Sequence, residues 1–176
     1  ERLAVDLPNI RFTLHAGEIV GLAGLAGAGR TELCQTIFGV TPAREGTITV
    51  DGRAVRLRSP VEAVGAGIAL ISEDRQRTGL TLGLATASNI TLANVDGVSR
   101  RGVIDRGRER AVAQNLYTRV RVRARSIDQT VGELSGGNQQ KVLVGNRLLA
   151  DAPVLVLHEP SRGVDVGARE EIHDIL

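Results

Sequence analysis

Three short groups of residues in this sequence carry chemistry. Glu159 follows the apolar run Val154-Leu155-Val156-Leu157 and His158. A carboxylate at the C-terminal edge of a buried strand lies where open α/β sheets bind ligands. Gly24-Leu25-Ala26-Gly27-Ala28-Gly29-Arg30-Thr31 fits the G-x-x-x-x-G-K-[ST] phosphate loop, with Arg30 in the lysine position. Gly24, Gly27 and Gly29 let successive backbone N–H groups turn inward onto phosphate oxygens, and Thr31 offers a hydroxyl to Mg²⁺. Lysine meets a phosphate as a point charge and arginine as a planar fork, so phosphate binding survives the exchange while catalytic positioning is put in question. The third group, Leu134-Ser135-Gly136-Gly137-Asn138-Gln139-Gln140-Lys141, opens a helix with a serine hydroxyl and paired glycines. Ser135, Gly136 and Gly137 would make a second anion site at a positive helix end.

Each group alone has a plainer reading: a glycine-rich turn that binds nothing, a capped helix start, and the end of a buried strand. A dinucleotide-binding loop fails, because Glu32 stands where the third glycine belongs and Asp51, at the right distance for the acidic partner, is used in a hairpin turn. His158 beside Glu159 makes a poor transition-metal pair, since neighbours on a strand point to opposite faces and no third ligand is evident. Cys34 reads as a small packed apolar residue in the helix after the phosphate loop, not as a nucleophile. Arg119, Arg121, Arg123 and Arg125 alternate with Val120, Val122 and Ala124, which reads as a solvated strand face rather than a nucleic-acid strip.

The elements that must position these groups follow from periodicity and turn chemistry. Strands are expected at 11–14 and 18–23, at 47–50 and 53–56 around the hairpin pair Asp51-Gly52, and at 68–71 and 154–157. Helices are expected over 30–38 with Gly39 as the C-terminal cap, from Ser59-Pro60, over 105–119, from the paired glycines to Ala150, and from near Gly167. Residues 72–79 read as a polar loop. The alternation predicts an α/β fold with a mostly parallel core sheet, an N-terminal antiparallel β part and a helical insert over about 81–150.

Composition bounds the function classes. The 176 residues are 42% hydrophobic and 24% charged, which fits a single folded domain and excludes a disordered or fibrous chain. With 22 basic against 20 acidic residues and only 2% aromatics, the chain has neither the charge excess nor the stacking platforms of a nucleic-acid binder. No apolar run is long enough to cross a bilayer, and Cys34 has no partner for an internal disulfide. Lys141 is the only lysine. The chain starts without methionine and stops in a helix-forming stretch, which reads as a piece of a longer protein.

The order and spacing of the three groups resemble the nucleotide-binding cassette of ABC transporters: phosphate loop, helical subdomain, signature motif, then a Walker B strand and the loop after it. More narrowly, residues 24–33, Ser72-Glu73-Asp74-Arg75, 134–142 and Glu159-Pro160-Ser161-Arg162-Gly163-Val164-Asp165-Val166-Gly167 resemble the second cassette of tandem monosaccharide-importer subunits. The resemblance implies a P-loop ATPase that uses ATP and Mg²⁺, with Gly24, Gly27, Gly29, Arg30 and Thr31 on the phosphates and Mg²⁺. It implies that Glu73 takes the place of the Q-loop glutamine, that Ser135, Gly136 and Gly137 clasp the γ-phosphate of ATP on the other cassette, and that Glu159 is the catalytic glutamate. Asp165 matches the aspartate of the loop beyond it.

The partners implied are a second cassette, transmembrane permease subunits and, indirectly, a sugar-binding protein, at the cytoplasmic face of a bacterial plasma membrane. His158 departs from the pattern, because the Walker B position calls for aspartate. No aromatic to stack on adenine stands in residues 3–9, and the switch-histidine strand would lie past residue 176. The expectation is the degenerate half of an asymmetric cassette pair. A catalytically inactive cassette that only supplies its signature, or a non-transport ABC protein, stays open.

Overall fold

A computed structural model describes residues 10–25 and 27–176, and the chain divides after Gly67 into two units, each with its own contacts. The search for a stacking aromatic at 3–9, and Ala26 of the phosphate loop, fall outside the described residues.

In the first unit, α1 (Arg30–Ile37) is closed by the N–H groups of Gly39 and Val40, which donate to the carbonyls of Thr36 and Gln35 at 3.1 and 2.8 Å. This paired pattern takes up two of the carbonyls a helix end leaves without a donor. Strands β1 (Ile48–Val50) and β2 (Arg53–Val55) pair antiparallel with Val50 opposite Arg53. Asp51 and Gly52 have φ of 49° and 73°, as the two-residue hairpin turn requires. Helix α2 (Pro60–Gly65) carries proline in its first turn. The Ser59 hydroxyl accepts from the Glu62 N–H, and the Glu62 carboxylate accepts from the Arg58 N–H at 2.6 Å.

The strands expected at 11–14 and 18–23 are not strands: these residues are exposed and no ladder is assigned to them. Apolar alternation identifies extended backbone, but a strand exists only where a second backbone supplies its hydrogen bonds.

The second unit is built around α5 (Gly136–Leu149), whose residues from Gln139 to Asn146 are all buried. Parallel strands β3 (Ile68–Ile71) and β6 (Val154–Leu157) pair in the register Ile68 to Val154 through Ile71 to Leu157. Helices α3 (Thr86–Thr91) and α4 (Arg106–Arg119), the short antiparallel pair β4 (Ser99–Arg100) and β5 (Val103–Ile104), and α6 (Val166–Ile175) complete it. One apolar cluster joins β3 and the four helices, with Ile71, Ile90, Val120, Val131, Val142, Leu143, Val144 and Ile172 all without solvent exposure.

Polar ties hold the helices in register. The Asn89 side chain serves both backbone groups of Thr81 at 2.8 and 3.0 Å, and Asn146 Nδ2 donates to the Asn89 carbonyl at 2.7 Å. Asp105 caps α4 by accepting from the Arg108 N–H. The residues after α4 are a turn, not the expected strand face. Val120 and Val122 are buried between exposed Arg119, Arg121 and Arg123, so the alternation is real, but Arg121 at φ 54° bends the chain away from extended geometry. Among the described residues no helix is long and apolar enough to cross a membrane.

Candidate functional site

The phosphate loop lies in the first unit. Gly27 and Gly29 have φ of 81° and 86°, a conformation that L side chains rarely adopt, and Gly29 is the N-cap of α1. The Ala28 N–H donates to the Leu25 carbonyl at 3.1 Å, which curls the loop before the helix starts. Left-handed glycines leading into a helix N-terminus aim backbone N–H groups at one concavity, the arrangement that binds a phosphate. Arg30 and Thr31 are the first two residues of the helix, and both are half-buried. Cys34, one turn on, is 7% exposed, and burial pushes its thiol above the ordinary value against the opposing charge of Arg30. A thiol so raised is a poor nucleophile at neutral pH, in keeping with a packing role.

The other site residues lie in the second unit. Ser135 is the N-cap of α5, and its hydroxyl accepts from the N–H of Asn138 at 3.5 Å and from its side-chain amide at 3.0 Å. Gly137 is buried against α6: a Cβ there would stand 2.6 Å from the Ala168 Cβ. A Cβ on Gly136 would stand 2.6 Å from the Arg75 guanidinium and 3.0 Å from the Gly163 carbonyl oxygen. Close approach thus demands glycine at 137 and leaves little room for a side chain at 136, while Ser135 stays exposed at the helix start.

Strand β6 delivers the remaining groups. The His158 N–H donates to the Ile71 carbonyl at 2.9 Å and so extends the parallel ladder by one residue. Glu159 follows at φ 51°, an uncommon conformation for a residue with a Cβ, and its carbonyl accepts from the Arg162 N–H at 3.0 Å. The chain therefore turns sharply at the carboxylate, the kind of local strain that concentrates at functional sites. Asp165 caps α6 by accepting from the Ala168 N–H at 2.9 Å, and its carboxylate lies 3.6 Å from where a Gly137 Cβ would be. Among the described residues no three His, Cys, Asp or Glu side chains form a metal cluster.

The structure brings Glu73, Gly136, Gly137 and Asp165 into one neighbourhood through residues that the motif reading left unassigned. Glu73 pairs with the Arg162 guanidinium. Arg75 donates to the carbonyls of Arg162 at 2.8 Å and Gly163 at 3.3 Å, and to Gln139 Oε1 at 3.4 Å. Gln76 donates to the same Gln139 oxygen at 3.1 Å. In sequence, Asp74-Arg75-Gln76-Arg77 is a plain polar loop, and nothing in its letters distinguishes a solvated arginine from one aimed at two carbonyls. Residues Arg75–Gly79 form a single π-helical turn capped by Asp74.

Behind the signature helix, the ammonium of Lys141 pairs with Glu171 and donates to the Arg121 carbonyl at 3.0 Å. The hydrogen bond from Lys141 holds the Glu171 carboxyl below its ordinary value, against the opposing effect of burial and with help from the charges of Lys141, Arg123 and Arg121.

A parallel strand pair, a glycine phosphate loop and a serine-capped double-glycine helix define a nucleotide-binding cassette of the P-loop class, and the chain belongs to the ABC transporter family, whose profile matches residues 7–162. The ribose import ATP-binding protein of Geobacillus kaustophilus is 46% identical over 183 residues, a match that covers all of this chain and 37% of that protein. A putative ribose/galactose/methyl galactoside import ATP-binding protein of Rhizobium meliloti is 45% identical, covering 96% of this chain and 34% of that one. The chain thus spans about a third of the length of the curated relatives it matches. Among solved structures, the dimeric ATP-binding cassette MJ0796 in a post-hydrolysis state with ADP and phosphate superposes with a TM-score of 0.76 at 20% identity, covering 93% of this chain and 70% of that one. That likeness establishes the fold.

Proposed function

We propose that this chain is an ATP-binding cassette of a monosaccharide importer and the degenerate half of an asymmetric pair, coupling ATP binding and hydrolysis to sugar uptake. The observation that carries this reading is the contrast between an intact signature and an altered nucleotide site. Ser135 caps its helix and Gly136 and Gly137 are held by close packing, whereas Arg30 and His158 stand where the family uses lysine and aspartate. The sugar-import names of the relatives support this reading, and their roughly threefold length leaves room for a second cassette in the same protein.

In this reading the loop glycines Gly24, Gly27 and Gly29 present N–H groups to phosphate oxygens, and Arg30 adds a charged fork beside them. The Thr31 hydroxyl, at the second position of α1, is an oxygen donor of the kind Mg²⁺ prefers. Mg²⁺, when bound, neutralises charge on the phosphates. His158 offers a ring nitrogen and no negative charge, so this chain holds the ion less firmly than a carboxylate would. Glu159 orients the attacking water, with the proton passing toward its carboxylate as the oxygen–phosphorus bond forms and the bond to the leaving ADP oxygen breaks. Ser135, Gly136 and Gly137 supply a hydroxyl and helix-start N–H groups to the γ-phosphate of ATP held by the partner cassette. Glu73 and its loop face the permease subunits, and the cassette works at the cytoplasmic side of the membrane.

The test is ATP hydrolysis by the full-length protein assembled with its permease, with and without a sugar-loaded binding protein. Stimulation of turnover by a monosaccharide is the expected result. ATPase activity indifferent to every monosaccharide, or none at all, would contradict it.

A further inference from the structure

Arg75 is half-buried, and its guanidinium is divided among three acceptors on two separate chain segments. Nη1 donates to the Arg162 carbonyl, Nη2 to the Gly163 carbonyl and Nε to Gln139 on the signature helix. Gln139 is 3% exposed, and its amide nitrogen donates in turn to the Val131 carbonyl at 3.3 Å. The tie runs in both directions, because the Arg162 side chain reaches back to the Glu73 carboxylate two residues before Arg75. Two loops are therefore cross-linked twice, each by an arginine of one on a group of the other.

The fit is tight on the helix side as well. A single Cβ on Gly136 would lie 2.6 Å from Nη2, so the second residue of the motif is small where the guanidinium lies against it. Only arginine presents donors on several edges of one rigid plane; a lysine ammonium in the same place reaches one carbonyl or the other. Burial lowers the pKa of Arg75, with Asp74 opposing the shift, so its charge is held in a partly desolvated position.

We propose that Arg75 is a positioning residue that clamps the 159–165 loop, which carries Glu159 and Asp165, to the start of the signature helix, and so makes the placement of both depend on the 72–79 loop. Arg75 acts through the loop it holds and not on the reacting atoms. Its effect on turnover rests on the ATPase reading above, whereas its effect on the loop does not.

The experiment compares wild type, Arg75→Ala and Arg75→Lys in the full-length protein with its permease, reading ATP turnover and, separately, backbone hydrogen exchange over 159–165. In Arg75→Ala, kcat is expected to fall ~10-fold or more while KM for Mg–ATP changes by less than ~2-fold, the split produced by lost positioning rather than lost binding. Exchange over 159–165 is expected to rise ~10-fold, because the carbonyl anchors of that loop are gone. Arg75→Lys is expected to recover only a minor part of either.

Unchanged exchange in Arg75→Ala overturns the clamp, as does a rise in KM matching the loss in kcat, or full rescue by lysine. If the wild type proves not to hydrolyse ATP, the ATPase reading falls and the exchange comparison still decides the clamp. If Arg75→Ala does not fold, Arg75→Lys decides in its place: exchange equal to wild type overturns the proposal, and raised exchange with unchanged KM supports it.

Discussion

Substituting Gly137 by alanine tests the packing that places the signature helix against α6. The new Cβ would lie 2.6 Å from the Ala168 Cβ, 3.6 Å from Asp165 Oδ2 and 3.7 Å from Val164 Cγ1. Carbon atoms pack best at about 3.5–4.0 Å, so the clash with Ala168 amounts to ~1 Å and the other two contacts are ordinary. Ala168 is fixed to a helix backbone and has no rotamer to change, so one of the two helices must shift. Overpacking of this kind costs ~1–3 kcal/mol, against a gain of at most ~1 kcal/mol from replacing glycine in a helix. The net expectation is a loss of ~1–2 kcal/mol, which in a chain of this size lowers the melting temperature by about 2–8 °C.

Because one atom causes the conflict, Ala168→Gly should relieve it. Alone that change costs ~0.5–1 kcal/mol, yet combined with Gly137→Ala it should recover ~1–2 kcal/mol relative to the sum of the single effects. Urea and thermal unfolding of the four proteins give the coupling. Effects that add within ~0.5 kcal/mol would refute the close approach of the two helices.

Three further outcomes follow from other sites. His158→Asp should tighten Mg–ATP binding at least severalfold at this cassette: unit charges 4 Å apart interact by ~4 kcal/mol at an effective dielectric of 20, and even ~1.4 kcal/mol net is tenfold in affinity. A Mg²⁺-dependent titration with the other cassette disabled checks this, and equal affinities would show that the histidine is tolerated. Gln140 is buried and its Nε2 has no partner among the described residues, so Gln140→Met should leave stability unchanged or raise it by ~1 kcal/mol; a clear drop in melting temperature would show that the amide is satisfied. Glu171 has a lowered pKa, so its contribution is present above the ordinary glutamate value of about 4.3 and is lost as pH falls through the lower folded-state value. Glu171→Gln should therefore melt lower than wild type at neutral pH, with the gap closing as pH falls below the ordinary glutamate value; parallel curves would show that the Lys141 pair contributes nothing.

Much of the fold was legible because its signals are local. Asp51-Gly52, Ser59-Pro60, Asp105 and the Ser135 cap each act within three or four residues, and each appears where its letters placed it. The extended segments at 11–14 and 18–23 show the limit: hydrophobic letters mark a backbone suited to a sheet but do not name its neighbour. The arginine alternation at 119–125 was legible as burial and illegible as geometry, because a positive φ at Arg121 depends on how the following residues pack.

The same division holds for the site. Glycine spacing announces the phosphate loop and the signature, since close backbone approach leaves few alternatives to glycine. Arg75 and its partners Gln139 and Arg162 were invisible as a group because Arg75 meets them across 64 and 87 residues of sequence, and polar side chains of that kind are more often solvated than shared.

On the proposed function, this chain's signature acts on ATP held by a partner cassette while its own nucleotide site is the weaker one. The most direct measurement is the ATPase rate of the assembled full-length importer carrying either Gly136→Asp or Arg30→Ala, with normal assembly of each variant verified first. An aspartate at Gly136 would crowd the Arg75 guanidinium and the Gly163 carbonyl and put negative charge at the start of the signature helix, so that variant should lose activity and transport, while Arg30→Ala should retain most of both. Equal losses in the two variants would contradict the asymmetry.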